Sequence, residues 1–135
     1  MRTLEVALRL APVLAILSLG STARADHHVV KVAASEKLGS HLTDAKGMTL
    51  YVFKKDSPGK SSCSGDCVAK WPVYFREAVA ATGSLKAADF GTITREDGQK
   101  QTTYKGLPLY YFAGDKAPGD ANGQGVKDVW SAVTP

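Results

Sequence analysis

The chain carries one aromatic phrase twice, and that duplication limits its fold more than any other feature. "LYVFKKD" runs from Leu50 to Asp56, and "LYYFAGD" runs from Leu109 to Asp115. A shift of 59 positions lays Lys46–Trp71 on Lys105–Trp130 without a gap. Seven of the 26 aligned positions are identical: Lys46/Lys105, Gly47/Gly106, Leu50/Leu109, Tyr51/Tyr110, Phe53/Phe112, Asp56/Asp115 and Trp71/Trp130. Both tryptophans of the protein are among them. Self-similarity at a fixed offset marks a two-copy architecture.

Each copy reads as β structure. "MTLYVF" and "LPLYYF" are rich in β-branched and aromatic residues and follow a glycine. In an extended strand Tyr51 and Phe53 share one face and Leu50 and Val52 the other, so apolar groups occupy both. Such a strand is expected to be central and covered on both sides. Upstream, "HVVKVAAS" reads as a strand and "GSHLTDAKGMTLYVF" as a hairpin; "FGTITREDGQKQTTY" carries an Asp97-Gly98 hairpin signal. Turn-rich loops, "DSPGKSSCSGD" and "DKAPGDANGQG", follow the aromatic strands. A short helical or extended segment then delivers Trp71 or Trp130, and "REAVAATGSLKAADF" joins the copies with room for a helical turn. The expected fold is all-β and mainly antiparallel, with two repeats, at about 29–75 and 89–133, related by approximate two-fold symmetry, and short helical turns. A sandwich and a partly open barrel both satisfy this pattern.

The first 25 residues read as a secretory signal peptide: Arg2 and Arg9, an apolar stretch from Leu10 to Leu19, then "ARA" ending at Ala25. That stretch is shorter than the roughly 20 residues a membrane-spanning helix needs. No cysteine stands near the cleavage point, so no lipid-attachment site is expected, nor a transmembrane segment after cleavage. Residues 26–135 then form a single domain. Losing the leader removes three arginines and one glutamate and lowers the formal charge from +4 to +2. No run of Lys or Arg remains, which excludes a nucleic-acid footprint.

The repeated residues Tyr51, Phe53, Asp56, Trp71, Tyr110, Phe112, Asp115 and Trp130 admit two readings. In one they form a repeated core-and-corner unit, each Asp holding its loop through backbone N–H groups. In the other the two carboxylates line a binding site shared between the copies. No nucleophile–base grouping accompanies them, and the chain is expected not to be an enzyme.

Cys63 and Cys67 are the only cysteines. In an exported chain they are expected to form a disulfide that clips the loop. The alternative is reduced thiolates that bind copper, since soft ligands suit Cu(I). Cleavage after Ala25 would also start the chain Asp26-His27-His28, a sequence able to wrap square-planar Cu(II) or Ni(II) through its amine, two amide nitrogens and the His28 imidazole. The competing reading is a frayed polar tail. His41 reads as a hairpin residue, and one such histidine cannot complete a zinc site with bridged cysteines. No cofactor other than this candidate copper is expected.

"LGSHLTDAKGMTLYVFKKDSPGKSSCSGDCVAKWP" and "YKGLPLYYFAGDKAPGDANGQGVKDVWSAV" resemble the two repeats of the secreted-repeat family, predicted lipoproteins with a Tyr-x-(Phe/Trp/Tyr)-x-x-Asp motif. The chain departs from that family in lacking the lipidated cysteine. The resemblance implies a secreted or periplasmic bacterial protein of unknown function and supplies no catalytic residues. The expected role is a non-enzymatic binding or structural module of the envelope, facing an unidentified partner or small ligand. Copper binding or delivery through Cys63, Cys67 and the mature N-terminus is the alternative. The exposed candidate surface is the pair of Pro/Gly-rich loops.

Overall fold

The structure, a computed structural model, describes residues 28–135. The expected leader and the Asp26–His27 start of the mature chain lie outside the described residues. The elements run β1 (Val29–Ser35), β2 (Gly39–Thr43), β3 (Tyr51–Phe53), α1 (Asp66–Lys70), β4 (Ala80–Ala81), β5 (Phe90–Thr94), β6 (Lys100–Tyr104), β7 (Leu107–Pro108) and β8 (Trp130–Ala132). Single 3-10 turns stand at Ala87–Asp89 and Val126–Asp128. No helix among the described residues is long and apolar enough to cross a membrane.

The strands form three small sheets, ordered β2-β1-β4, β3-β8 and β5-β6-β7. The Asp97-Gly98 hairpin is present, but the expected hairpin from β2 into the aromatic strand is reduced to a single bridge, Thr43↔Thr49, because β2 takes β1 as its antiparallel partner (Lys31↔Thr43 to Ser35↔Gly39) and β3 takes β8. β5 and β6 pair antiparallel from Phe90↔Tyr104 to Thr94↔Lys100 across the Asp97-Gly98 turn. β2 reaches the aromatic strand through the Asp44–Met48 turn, where Asp44 Oδ1 accepts the N–H groups of Lys46 and Met48 at 2.9 Å each. One pairing is not antiparallel: β4 lies parallel to the start of β1, Val29↔Ala80 and Val30↔Ala81. It comes from the joining segment, where only a helical turn was expected; that turn is the 3-10 segment at Ala87–Asp89.

The repeats are interlocked rather than side by side. β3 pairs with β8, the tryptophan strand of the other copy, with Phe53 opposite Trp130. Tyr51 and Tyr110 exchange both backbone bonds, at 2.8 and 2.9 Å. Further bonds come in pairs shifted by the repeat offset. Lys54 N donates to Val129 O at 2.7 Å and Ala113 N to Lys70 O at 2.8 Å; Val133 N donates to Leu50 O and Tyr74 N to Leu109 O, both at 3.0 Å. An approximate two-fold axis therefore passes between Tyr51 and Tyr110.

Each aromatic segment separates two cores, as its two apolar faces require, although in the second copy the expected strand stops at Pro108 and Leu109–Phe112 pairs only through isolated bridges at Tyr110. Leu50 and Leu109 pack on one side with Val30, Leu42, Tyr74 and Val133. Tyr51 and Tyr110 pack on the other with Cys63, Trp71 and Trp130. The repeated Lys-Gly explains itself here. Gly47 and Gly106 sit at φ 91° and 87°, where side chains are strained, and a Cβ on either would lie 3.1 or 3.2 Å from Pro118 or Pro58 of the opposite copy's loop.

Candidate functional site

The motif residues meet across the two-fold axis. Tyr51 Oη donates to Asp115 Oδ2 and Tyr110 Oη to Asp56 Oδ2, each at 2.6 Å. The other oxygen of each carboxylate holds its own loop: Asp115 Oδ1 accepts Asn122 N at 2.8 Å, and Asp56 Oδ1 accepts Ser62 N at 2.6 Å. Each Asp thus ties its loop to the other repeat's tyrosine. A phenol donating to a carboxylate is a charge-assisted bond, worth about 1.5–3 kcal/mol. Burial, and then the facing carboxylate, push both phenols well above the ordinary tyrosine range. Burial also raises Asp56, against the Tyr110 and Ser62 hydrogen bonds and the Arg95 charge, which pull it down. Neutral phenols facing committed carboxylates hold loops in place.

Between these pairs lies a stack of four rings. Phe53 lies on Trp130 (centroids 4.2 Å, planes 14° apart), Trp130 on Trp71 (3.7 Å, 3°) and Trp71 on Phe112 (4.3 Å, 32°). Tyr51 meets Trp71 edge-on at 5.4 Å, and Tyr110 meets Trp130 edge-on at 5.1 Å. The Phe–Trp and Tyr–Trp contacts of one copy thus each have a counterpart in the other, whereas Tyr51 alone also meets a phenylalanine, Phe112, edge-on at 6.3 Å.

The stack floors an open groove of about 540 Å³, lined also by Cys67, Val126, Val129 and the exposed Lys55, Asp66, Lys70 and Lys127. A volume of this size suits a small ligand. The walls come from α1 and from the segment Val126–Val129; of the two Pro/Gly-rich loops expected to form the surface, only Asp66 lines the groove and no residue of 115–125 does. A smaller recess of about 340 Å³ adjoins it and shares Phe53, Val129 and Trp130; Asp56 lines this recess.

Cys63 and Cys67 are joined in a disulfide. Cys63 is buried in the aromatic core, and its carbonyl accepts a bond from Arg95 Nη2. Sequence reasoning missed Arg95. Its guanidinium, almost wholly buried, also donates to Ser61 Oγ (2.7 Å) and Gln101 Oε1 (2.8 Å), and it pairs with Asp97. Ser61 Oγ in turn lies 2.6 Å from Tyr110 Oη. A lone arginine at a hairpin end carries no sequence signal for such a role. Also missed was Asp44, whose Oδ2 accepts the Tyr111 phenol at 2.8 Å.

His41 is a buried β2 residue whose Nδ1 donates to Gly39 O at 3.1 Å. His28 opens β1, and its carbonyl accepts Ala80 N at 3.0 Å; its two expected companions in a copper tail lie outside the described residues. Among the described residues no group of three or more His, Cys, Asp or Glu could hold a metal ion.

A search of curated proteins found no match to the chain, and a search of solved structures found none either. A family comparison matched residues 32–74 and 91–134, the two copies joined by the Tyr–Asp pairs, to a secreted repeat of unknown function. The chain accordingly belongs to that family of secreted repeats.

Proposed function

We propose that the protein is a non-enzymatic binding module of the cell envelope, periplasmic or released, that holds a small ligand in the aromatic groove. The observation that carries this reading is the open groove itself, floored by Phe53, Trp71, Phe112 and Trp130 and held rigid by the crossed Tyr–Asp pairs. Rigid aromatic floors with a polar rim suit binding, because little freedom is lost when the ligand arrives. The copper alternative draws on reduced Cys63 and Cys67 and on the Asp26–His28 start; the disulfide favours the module.

A native mass spectrum of the protein recovered from its own envelope or medium tests this. An oxidised chain bearing an organic adduct, lost in a groove-filling Val129→Trp variant, is the expected result. A chain carrying copper, with both cysteines reduced, would replace the module with metal delivery.

A further inference from the structure

The groove's rim differs from its floor in a way that identifies a ligand chemistry, and this step rests on the binding reading above. The floor is symmetric. Phe53 and Phe112, and Trp71 and Trp130, are equivalent positions of the two copies. The cations are not. Lys55, Lys70 and Lys127 correspond to Gly114, Val129 and Val68, so the repeat architecture does not require them. They face one acidic lining residue, Asp66, which leaves the rim cationic. None of the three is in an ion pair with a described residue.

The backbone adds a second asymmetry at the same place. Lys127 and Asp128 adopt φ 52° and 61° in succession. Two consecutive L-residues in the left-handed region are disfavoured, and such strain gathers at ligand sites. Here it sets Lys127 on the groove rim.

The floor presents ring edges. Each tryptophan has both faces covered, Trp130 between Phe53 and Trp71, and Trp71 between Trp130 and Phe112. What reaches the groove is a narrow strip of edge, since Trp71 and Trp130 are each 4% exposed, flanked by the half-buried Phe53 and Phe112; aromatic edges carry the positive end of the ring quadrupole. An electron-rich π face suits such an edge, and an anionic group suits the lysines.

We infer that the groove binds a flat aromatic anion, its ring face across the edge strip of the stack from Phe53 to Phe112 and its acidic group between Lys70 and Lys127. Both tryptophans of the chain stand in the floor, so their two indole N–H signals in an ¹⁵N–¹H correlation spectrum report this groove alone. Three probes of one shape are titrated into the disulfide-bonded protein: 2-naphthoate, neutral 2-naphthol and cationic (2-naphthyl)trimethylammonium. The expected result is saturable shifting of both signals by 2-naphthoate, with about tenfold weaker binding of 2-naphthol and weaker still of the cation. Lys70→Gln combined with Lys127→Asn should bring 2-naphthoate down to the affinity of 2-naphthol. Asn tolerates the left-handed conformation at position 127, and unchanged backbone signals show that the variant keeps its fold. Equal affinities for the three probes, or a double variant that binds 2-naphthoate as before, would overturn the anion inference and leave the groove a binding site. The absence of any shift, or shifts that follow protein concentration because a second copy covers the groove, would overturn both.

Discussion

Tyr51 donates its phenol proton to Asp115, 64 residues away, and not to Asp56 of its own motif. The Tyr-x-Phe-x-x-Asp phrase is therefore one half of two different contacts. Each repeat supplies a donor for its partner and an acceptor for its partner, so neither completes its own loop.

The two phenols should carry measurable stability. Tyr51→Phe and Tyr110→Phe should each lower the free energy of unfolding by about 1.5–3 kcal/mol, because a buried charge-assisted bond is lost and a carboxylate is left short of a partner. Urea unfolding of the disulfide-bonded protein measures this. Each hydroxyl has a second partner, the Gly123 N–H at 3.2 Å for Tyr51 and Ser61 Oγ at 2.6 Å for Tyr110, and the shorter contact should make the Tyr110 variant lose more.

Alkali should unfold the protein cooperatively. Burial raises Tyr51, Tyr110 and Tyr111, and pushes Tyr74 up to about 12. Below the ordinary tyrosine value of 10 both states keep their protons, and stability does not depend on these groups. Above it the unfolded chain releases protons that the folded chain retains, so stability falls by about 1.4 kcal/mol per pH unit for each phenol held neutral. Tyrosinate absorbance should rise together with loss of the near-ultraviolet circular dichroism. Separate, earlier ionisation of all the tyrosines in a folded chain would contradict the burial.

Much of the fold could be read from the sequence, because the two-residue period of "LYVF" assigns Leu50 and Tyr51 to different faces, and each face indeed has its own core. The Asp97-Gly98 hairpin was legible for a similar local reason, whereas the segment before Trp71 read equally as helical or extended and is the helix Asp66–Lys70. The exchange of partners was not. An extended strand rises about 3.3 Å per residue and carries Asp56 away from Tyr51, but sequence does not say which distant tyrosine it meets. The parallel β1–β4 pair was hidden in the alanine-rich "EAVAATG", which has no alternation to read. The lysine rim was hidden because Lys55, Lys70 and Lys127 come from separate segments and share no spacing.

Gly47 should tolerate a methyl group poorly. Gly47→Ala meets both a left-handed backbone and Pro118, whereas Gly39→Ala meets the same backbone (φ 66°) with nothing near the new Cβ. Gly39→Ala should cost about 1–2 kcal/mol and Gly47→Ala more, the difference reporting the contact between copies. Thermal unfolding of the two variants makes the comparison.

The disulfide should be dispensable for folding. Asn122 and Val126 fill the places of Cys63 and Cys67 in the second copy, whose loop closes without a bridge. Cys63→Ala with Cys67→Ala should cost about 2 kcal/mol, the chain-entropy value for so short a loop, and leave the fold intact. The chemical shifts of Tyr110 and Ser62 in the double variant should stay close to those of the parent.

The most direct test of the interlocked repeats is a pair of double-mutant cycles read by urea unfolding. One combines Tyr51→Phe with Asp115→Ala, and the other Tyr51→Phe with Asp56→Ala. The structure predicts a coupling of about 1 kcal/mol or more in the first cycle and under about 0.5 kcal/mol in the second. The reverse order, with Tyr51 coupled to Asp56, would show that each motif closes on itself and would contradict the exchange on which the groove is built.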